Sequence, residues 1–385
     1  MDSDKLSHFD AAAFLIDAWQ KTTYLIHQGL PLLSIDFDQH DLAGLALEES
    51  IDSRVVIEQQ DGSYALRHGP FEESSFAQID AVEAHKTWTL LVQSVDHYIP
   101  EVADLKRYFS FLPNWRLDDI MISYAKEGGS VGPHFDYYDV FLIQLQGERL
   151  WKIGQLCDEH TSLKAHPDLK LLESFDEQIE YSMSAGDVLY VPPGVAHWGI
   201  AQSDDCMTIS VGFRAPSYAD MAMSVADDMA LTVPKHVRYQ DDVVHHVNEC
   251  SASEISSDTI HTIQSELMRL ALDAERIASV FGGLMTESHN VDVNGLEQAA
   301  MAPQKVSTPI LEKHLDTRMA FTRLEDTLLL FANGRRMSLP MSQYEFVDTL
   351  CAQNTVDLRE LDSNQQEVVG FLINCNVYDL YMDEE

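Results

Sequence analysis

Positive charge is what this sequence has least of. Only 25 lysines and arginines stand against 63 aspartates and glutamates in 385 residues, a formal charge of −38. A surface this acidic repels phosphate backbones, which argues against nucleic acid as a direct ligand. It reads either as steering basic partners or as adaptation to salt and general solubility. Cysteine is scarce too: Cys157, Cys206, Cys250, Cys351 and Cys375 are odd in number, widely spaced and never arranged as Cys-x-x-Cys. That argues against zinc ribbons and dithiol redox pairs and fits free thiols in a reducing compartment. No apolar run is long enough to span a bilayer. The first residues carry Asp2, Asp4, Asp10 and Asp17 around their apolar positions, the wrong charge for a signal peptide. A cytoplasmic protein without a membrane segment is expected. Internal repeats and low-complexity stretches are also missing.

What is there begins with helical periodicity from about Phe9 to Trp19, the short run Tyr24-Leu25-Ile26, and a helical pattern from Ala43 to Glu49. Val55-Val56-Ile57 and Tyr64-Ala65-Leu66 flank an Asp61-Gly62 turn and read as a hairpin. From Trp88 the chain turns strand-rich. Ile120–Tyr124, Val140–Leu145, Leu150–Ile153, Ile179–Met183, Val188–Val191 and Met207–Phe213 are short apolar or alternating runs punctuated by Gly, Pro and Asp. Many short strands with little helix between them predict a sandwich or barrel.

After Arg214-Ala215-Pro216 the pattern becomes helical, over Tyr218–Leu231 and over Ser256–Phe281. The second stretch places Ile260, Ile263, Leu267, Leu270, Ile277 and Phe281 largely on one stripe, which needs the barrel, its neighbour helix or another subunit to cover it. A polar linker, 291–309, leads to a small α+β unit. Its strands Phe321–Leu324 and Leu328–Phe331 are followed by the hairpin signal Asn333-Gly334 and by helices over Ser342–Ala352 and Asn364–Leu372. Hairpin plus helices suggests a winged-helix-like module. A DNA reader of that kind carries a basic helix, but 341–385 holds one basic residue, Arg359, against ten acidic ones. Docking or scaffolding suits it better than direct DNA binding.

The chemistry sits in Gly132-Pro133-His134-Phe135-Asp136 and, far downstream, Pro192-Pro193-Gly194-Val195-Ala196-His197. Two imidazoles and one carboxylate are the ligand set of non-haem Fe(II) oxygenases. On a strand, alternate residues face the same way, so His134 and Asp136 are expected to face one metal. His-x-Asp alone is a weak, often structural pattern. The rigid turn before His197 is more specific, because it fixes where the next strand begins. Oxygenases of this ligand type often use a chelating keto acid whose far carboxylate needs a cation. Arg149, in Gly147-Glu148-Arg149-Leu150-Trp151, offers a bidentate fork of the right shape. Asp187 and Trp151 read as turn and packing residues. Asp139 reads either as a partner for a substrate guanidinium or as a strand-end carboxylate. His245-His246 reads as a solvated pair, and His160 and His166 as loop residues without chemistry.

His134-Phe135-Asp136, Asp139-Val140-Phe141-Leu142-Ile143-Gln144, Arg149-Leu150-Trp151 and the Pro-Pro-Gly-x-x-His run resemble the JmjC-type ribosomal oxygenases, in particular the bacterial ribosomal protein arginine hydroxylase branch, or cupin-4 family. Asp52-Ser53-Arg54, His68-Gly69-Pro70-Phe71, Trp88–Gln93, Asp118-Asp119, Met121-Ile122-Ser123 and Ser210–Pro216 extend the resemblance over roughly residues 8–220. Gln146-Gly147-Glu148 before the arginine and Trp198 after the histidine depart from the family pattern.

The resemblance implies a mainly β catalytic domain, a double-stranded β-helix of JmjC/cupin type, over 1–216. An α-helical dimerisation region would follow over 217–300, and a winged-helix-like α+β domain over 301–385. It implies Fe(II) on His134, Asp136 and His197, and 2-oxoglutarate as cosubstrate with its 5-carboxylate on Arg149. Ser123 and Ser210 would join the same cofactor pocket. The product chemistry would be hydroxylation of an arginine side chain of a large-subunit ribosomal protein, with succinate and CO2 as coproducts. A basic ribosomal client suits the acidic surface, and a homodimer would cover the middle helices. Two other readings compete: a cupin-type metal enzyme without a keto acid, which Arg149 disfavours, and a non-enzymatic ribosome-associated binding factor, which the intact His/Asp/His set disfavours.

Overall fold

The structure, a computed structural model, describes residues 5–31, 35–59, 61–76, 87–166, 168–240, 253–288 and 310–378. They divide into two compact units, Met1–Ala215 and Pro216–Glu385. His245-His246, Cys250 and the 291–309 linker lie outside the described residues. Among the described residues no helix is long and apolar enough to cross a membrane.

The first unit is built on two antiparallel sheets. Its strands are β1 (Tyr24–Ile26), β2 (Ser53–Glu58), β3 (Tyr64–His68), β4 (Thr87–Val92), β5 (Leu117–Ala125), β6 (Asp139–Gln146), β7 (Glu148–Leu156), β8 (Ile179–Ser184), β9 (Val188–Val191), β10 (Val195–Ala201) and β11 (Cys206–Phe213). Eight of them form one sheet in the order β1-β9-β6-β11-β5-β4-β2-β3, and β10-β7-β8 form the other. The hairpin across Asp61-Gly62 pairs β2 with β3, as the sequence predicts.

Period-two alternation sorts the large sheet into two faces. On one, Phe141, Ile143, Val188, Tyr190, Ile209, Val211 and Phe213 join Phe14 and Phe109 in the main core. On the other, Val140, Leu142, Leu189 and Val191 meet Trp151, Ile153 and Met183 of the small sheet. Each such fully buried large side chain contributes about 1.5–3 kcal/mol. The aromatic side is ordered by its rings: Phe14 meets Tyr190 edge-on at 5.0 Å, and Phe141 lies 4.9 Å from Phe109.

Helix Ala11–Asp17 starts where Asp10 accepts the amides of Ala12 and Ala13. The predicted helix Ala43–Glu49 lies earlier, at Gln39–Leu45, because Asp38 and Asp41 form a reciprocal capping box there.

The second unit opens with helices Tyr218–Thr232, Ser257–Ala271 and Ala274–Thr286. The single helix predicted over Ser256–Phe281 is therefore two. Asp273 breaks it by accepting the Arg276 amide at 2.9 Å and capping the second piece. A meander of β13 (Met319–Leu324), β14 (Thr327–Ala332) and β15 (Arg335–Pro340) follows β12 (Ile310–Glu312), and Asn333-Gly334 makes its second turn. β16 (Thr355–Asp357) pairs with β12, between helices Tyr344–Ala352 and Ser363–Asn374. Leu328, Leu330, Val347, Val368 and Leu372 fill the core. Gly282 lies against the Phe331 ring, where a Cβ would come within 2.3 Å.

Candidate metal centre

His134 and Asp136 do not lie on a strand. The segment that carries them is irregular, and only His134 makes a bridge, to His197. The two residues exchange backbone hydrogen bonds: the His134 amide donates to the His197 carbonyl at 3.1 Å, and the His197 amide donates to the His134 carbonyl at 2.8 Å. Gly194 N–H donates to the Asp136 carbonyl at 2.7 Å, and Gly128 and Gly129 pair with Ala201. β10 thus serves as the template for the ligand segment. Its own entry is the Pro192-Pro193-Gly194 turn, with Gly194 at φ +78°, and a bulge between Val195 and His197 that re-aims the imidazole.

Among the described residues, one group has metal-binding geometry: His134, Asp136 and His197, with ligand atoms all within 4.8 Å of one another. His197 Nε2 lies 3.6 Å from Asp136 Oδ2. Each imidazole turns its Nδ1 to a carbonyl two residues back, Gly132 at 2.9 Å and Val195 at 3.0 Å. A carbonyl can only accept, so Nδ1 carries the proton and Nε2 keeps its lone pair for a cation. Gly132 can sit there because φ is +83° and a Cβ would come within 2.7 Å of Leu171. Burial, then the neighbouring His134, pushes His197 down to about 4. That imidazole is neutral at ordinary pH, as ligation requires.

The cluster opens on a cavity of about 240 Å³ between the sheets. Arg149, Ser123 and Ser210 line the same cavity, so the metal-ligand and cosubstrate candidates singled out in the sequence converge here. Arg149 is 3% exposed. Its Nε donates to Cys206 Sγ at 3.3 Å, its guanidinium carbon stands 5.6 Å from the Trp151 ring centre, and its buried Nη2 has no hydrogen-bond partner. A buried guanidinium N–H without an acceptor costs at least about 1–3 kcal/mol. An anionic ligand in the cavity relieves that cost. Two imidazoles and a carboxylate at one place, and a buried cation on the same cavity wall, fit a divalent metal together with a small dicarboxylate. Ser123 Oγ reaches the Thr208 carbonyl at 3.4 Å.

Asp139 is not free for a substrate. It is fully buried and accepts from Arg116 at 2.7 Å, Tyr190 Oη at 2.6 Å and Gln20 Nε2 at 3.1 Å, which makes it a strand-end structural carboxylate. Asp187 accepts the amides of Gln28 and Ser184 and closes a turn. Trp151 packs 5.9 Å from His197, between that ring and Arg149.

The sequence reading gave no site role to Asp119, Arg54, Tyr138 and Thr208, which stand on the cavity wall. Parity would have found two of them: Asp119, Met121 and Ser123 share a face of β5, and Thr208, Ser210 and Gly212 share a face of β11. Asp119 accepts from Ser94 N and Oγ at 3.1 and 3.2 Å, yet burial raises its carboxyl above the usual range.

The JmjC domain pattern matches residues 104–221. A probable ribosomal oxygenase of Haemophilus influenzae is 38% identical over 215 residues, 56% of this chain and 52% of the relative, so the chain matches about half the length of that protein. The ribosomal protein uL16 3-hydroxylase of Escherichia coli is 33% identical over 332 residues, 85% of each chain. The crystal structure of E. coli YcfD superposes with a TM-score of 0.81 at 28% identity, covering 97% of this chain and 99% of the other. A YcfD structure in complex with cobalt and 2-oxoglutarate superposes with a TM-score of 0.78 over the same shares.

Proposed function

This chain belongs to the JmjC-domain ribosomal oxygenases, and from that premise we propose that it hydroxylates an arginine side chain of a large-subunit ribosomal protein. It is a 2-oxoglutarate-dependent dioxygenase that uses Fe(II), with succinate and CO2 as coproducts. The observation that carries the reading is the convergence, on one cavity, of the His/Asp/His cluster and the buried Arg149, whose Nη2 has no partner. The name of the E. coli relative makes uL16 the first client to test.

In this reading His134, Asp136 and His197 hold the metal, and Arg149 receives the far carboxylate of 2-oxoglutarate. Ser123 and Ser210 border that cosubstrate. When bound, metal and cosubstrate together supply O2 activation coupled to oxidative decarboxylation. The chain's own residues do the rest. Gly132 and Val195 carbonyls fix both imidazole tautomers. Val140, Leu142 and Leu171 wall the cavity with hydrocarbon and exclude water from the reacting carbon. Asp119 and Tyr138, on the same wall, provide polar contacts for an entering basic side chain.

The same reading assigns 1–216 to catalysis, 217–300 to a helical dimerisation region and 301–385 to a winged-helix-like domain. Exposed Ile260, Ile263, Leu267 and Ile277 support a homodimer, since an apolar helix stripe seeks a partner. The acidic C-terminal segment supports docking of a basic protein rather than direct DNA binding, and a ribosomal client supports a cytoplasmic location.

The test is to incubate the purified protein with Fe(II), 2-oxoglutarate and recombinant uL16. Succinate release together with the mass of one added oxygen on an arginine is the expected result. An oxygen on another residue type corrects the target. Silence with every ribosomal protein supplied, and no change in the ribosomal proteins of cells lacking the enzyme, would leave the binding-factor reading instead.

A further inference from the structure

The arrangement behind Arg149 has a feature that the metal and cosubstrate reading does not use. Cys206 opens β11 and is completely buried. Its backbone pairs with Ala125 of β5 in the large sheet, while its sulfur faces Arg149 of β7 in the small one. Two donors converge on that sulfur, Arg149 Nε at 3.3 Å and Gln144 Nε2 at 3.4 Å. Gln144 is itself fixed, since its Nε2 also reaches the Gln146 carbonyl at 2.7 Å and its Oε1 accepts from Thr208 Oγ1 at 3.1 Å. A chain of contacts therefore runs from the cavity wall at Thr208 through Gln144 and the thiol to the guanidinium.

The chemistry of the acceptor matters. A buried arginine is ordinarily held by a carboxylate, which spends its charge. Sulfur is a weak, uncharged acceptor. It orients the guanidinium through Nε without neutralising it. With Trp151 over the guanidinium face, the Nη edge is the part left for a ligand. Among the described residues no carboxylate makes an ion pair with Arg149.

We infer that Cys206 is the positioning residue for Arg149, aiming the guanidinium edge at the cosubstrate carboxylate while leaving its charge intact. The inference rests on the reading that Arg149 receives that carboxylate. It predicts that the thiol governs affinity for 2-oxoglutarate and discrimination by chain length, with little influence on the metal or on the rate at saturation.

The experiment compares Cys206→Ala, Cys206→Val and Cys206→Ser with the unaltered protein and with Arg149→Gln. Binding of 2-oxoglutarate is measured by calorimetry on protein loaded with Mn(II), which needs no turnover. Losing an acceptor on a charged donor, discounted for sulfur, corresponds to roughly fivefold to tenfold weaker binding. That loss is expected for Ala and Val, with Mn(II) affinity and melting temperature close to the parent. Serine, which restores an acceptor, should recover most of it. In turnover, KM for 2-oxoglutarate rises while kcat holds, and preference over 2-oxoadipate narrows. If Arg149→Gln abolishes binding while the Ala and Val variants bind like the parent, this inference fails and the Arg149 reading stands. If Arg149→Gln itself binds 2-oxoglutarate normally, both fail. A loss at Cys206 that moves in step with Mn(II) affinity and melting temperature also overturns it, since that is what simple unpacking produces.

Discussion

Strand β11 carries two sets of side chains with opposite duties. Met207, Ile209, Val211 and Phe213 point into the aromatic core with Phe14, Phe109 and Phe141. Thr208, Ser210 and Gly212 line the cavity that the His/Asp/His cluster and Arg149 also line. One residue of register separates stability from chemistry. The apolar side packs hydrocarbon on hydrocarbon, whereas the cavity side keeps polar atoms and, in Arg149 Nη2, a buried donor without a partner. Neighbouring β5 repeats the division, with Ile120 and Ile122 in the core and Asp119, Met121 and Ser123 on the cavity.

The difference between the faces can be broken most severely from the cavity side. Asp136→Ala removes one of the three proposed metal ligands and is expected to reduce turnover to background. The melting temperature of the metal-free protein should move little, because Asp136 is held through its backbone carbonyl. An inactive variant that also melts early would mean that the two faces are not independent. The converse change is Phe213→Ala on the apolar face. It should cost about 3–5 kcal/mol in denaturant unfolding, yet leave Mn(II) affinity of the folded fraction unchanged.

A third test uses acid. His197 is held near 4 in the fold by burial and by His134, against an ordinary value of 6.5. Between those values the unfolded chain binds a proton that the folded one refuses. Its contribution is therefore fully present above about pH 6.5 and is lost as the pH falls toward 4. Melting temperature of the metal-free protein should slope downward over that window, and His197→Gln should flatten the slope; an equal slope in both proteins would point to other groups. The smallest effect is expected for Thr208→Val. It removes the hydroxyl that Gln144 accepts, at a stability cost of about 1 kcal/mol, and its main consequence should be a modest rise in KM for 2-oxoglutarate.

Much of this was legible in the residues. The strand runs from Trp88 to Phe213 announce themselves by β-branched and aromatic content, and the three residues of the His/Asp/His cluster by residue type and by the Pro-Pro-Gly turn. What the one-dimensional pattern hid has physical causes. β10 reads His-Trp-Gly where a strand would alternate, and its bulge erases the period. The His-x-Asp segment looks like a strand but is shaped by contacts to β10, residues distant in sequence. The break at Asp273 is a capping event with no glycine or proline to mark it. Asp139 could not be told from a substrate contact until Arg116 and Tyr190 were seen closing on it. The pairing of β1 with β9, and of β11 with both β5 and β6, depends on sheet closure rather than on any local signal.

The reciprocal backbone bonds between His134 and His197 have a consequence for metal supply. They assemble both imidazoles before any ion arrives, so the protein has no folding step with which to proofread its metal. A ready-made set of two nitrogens and one oxygen binds copper, nickel, cobalt or zinc at least as tightly as ferrous iron. Which ion such a site acquires is then decided by what the cell has to offer when the chain leaves the ribosome. Protein made in a zinc-rich medium should come out folded, loaded and inert, and chelation followed by ferrous iron should restore it without refolding.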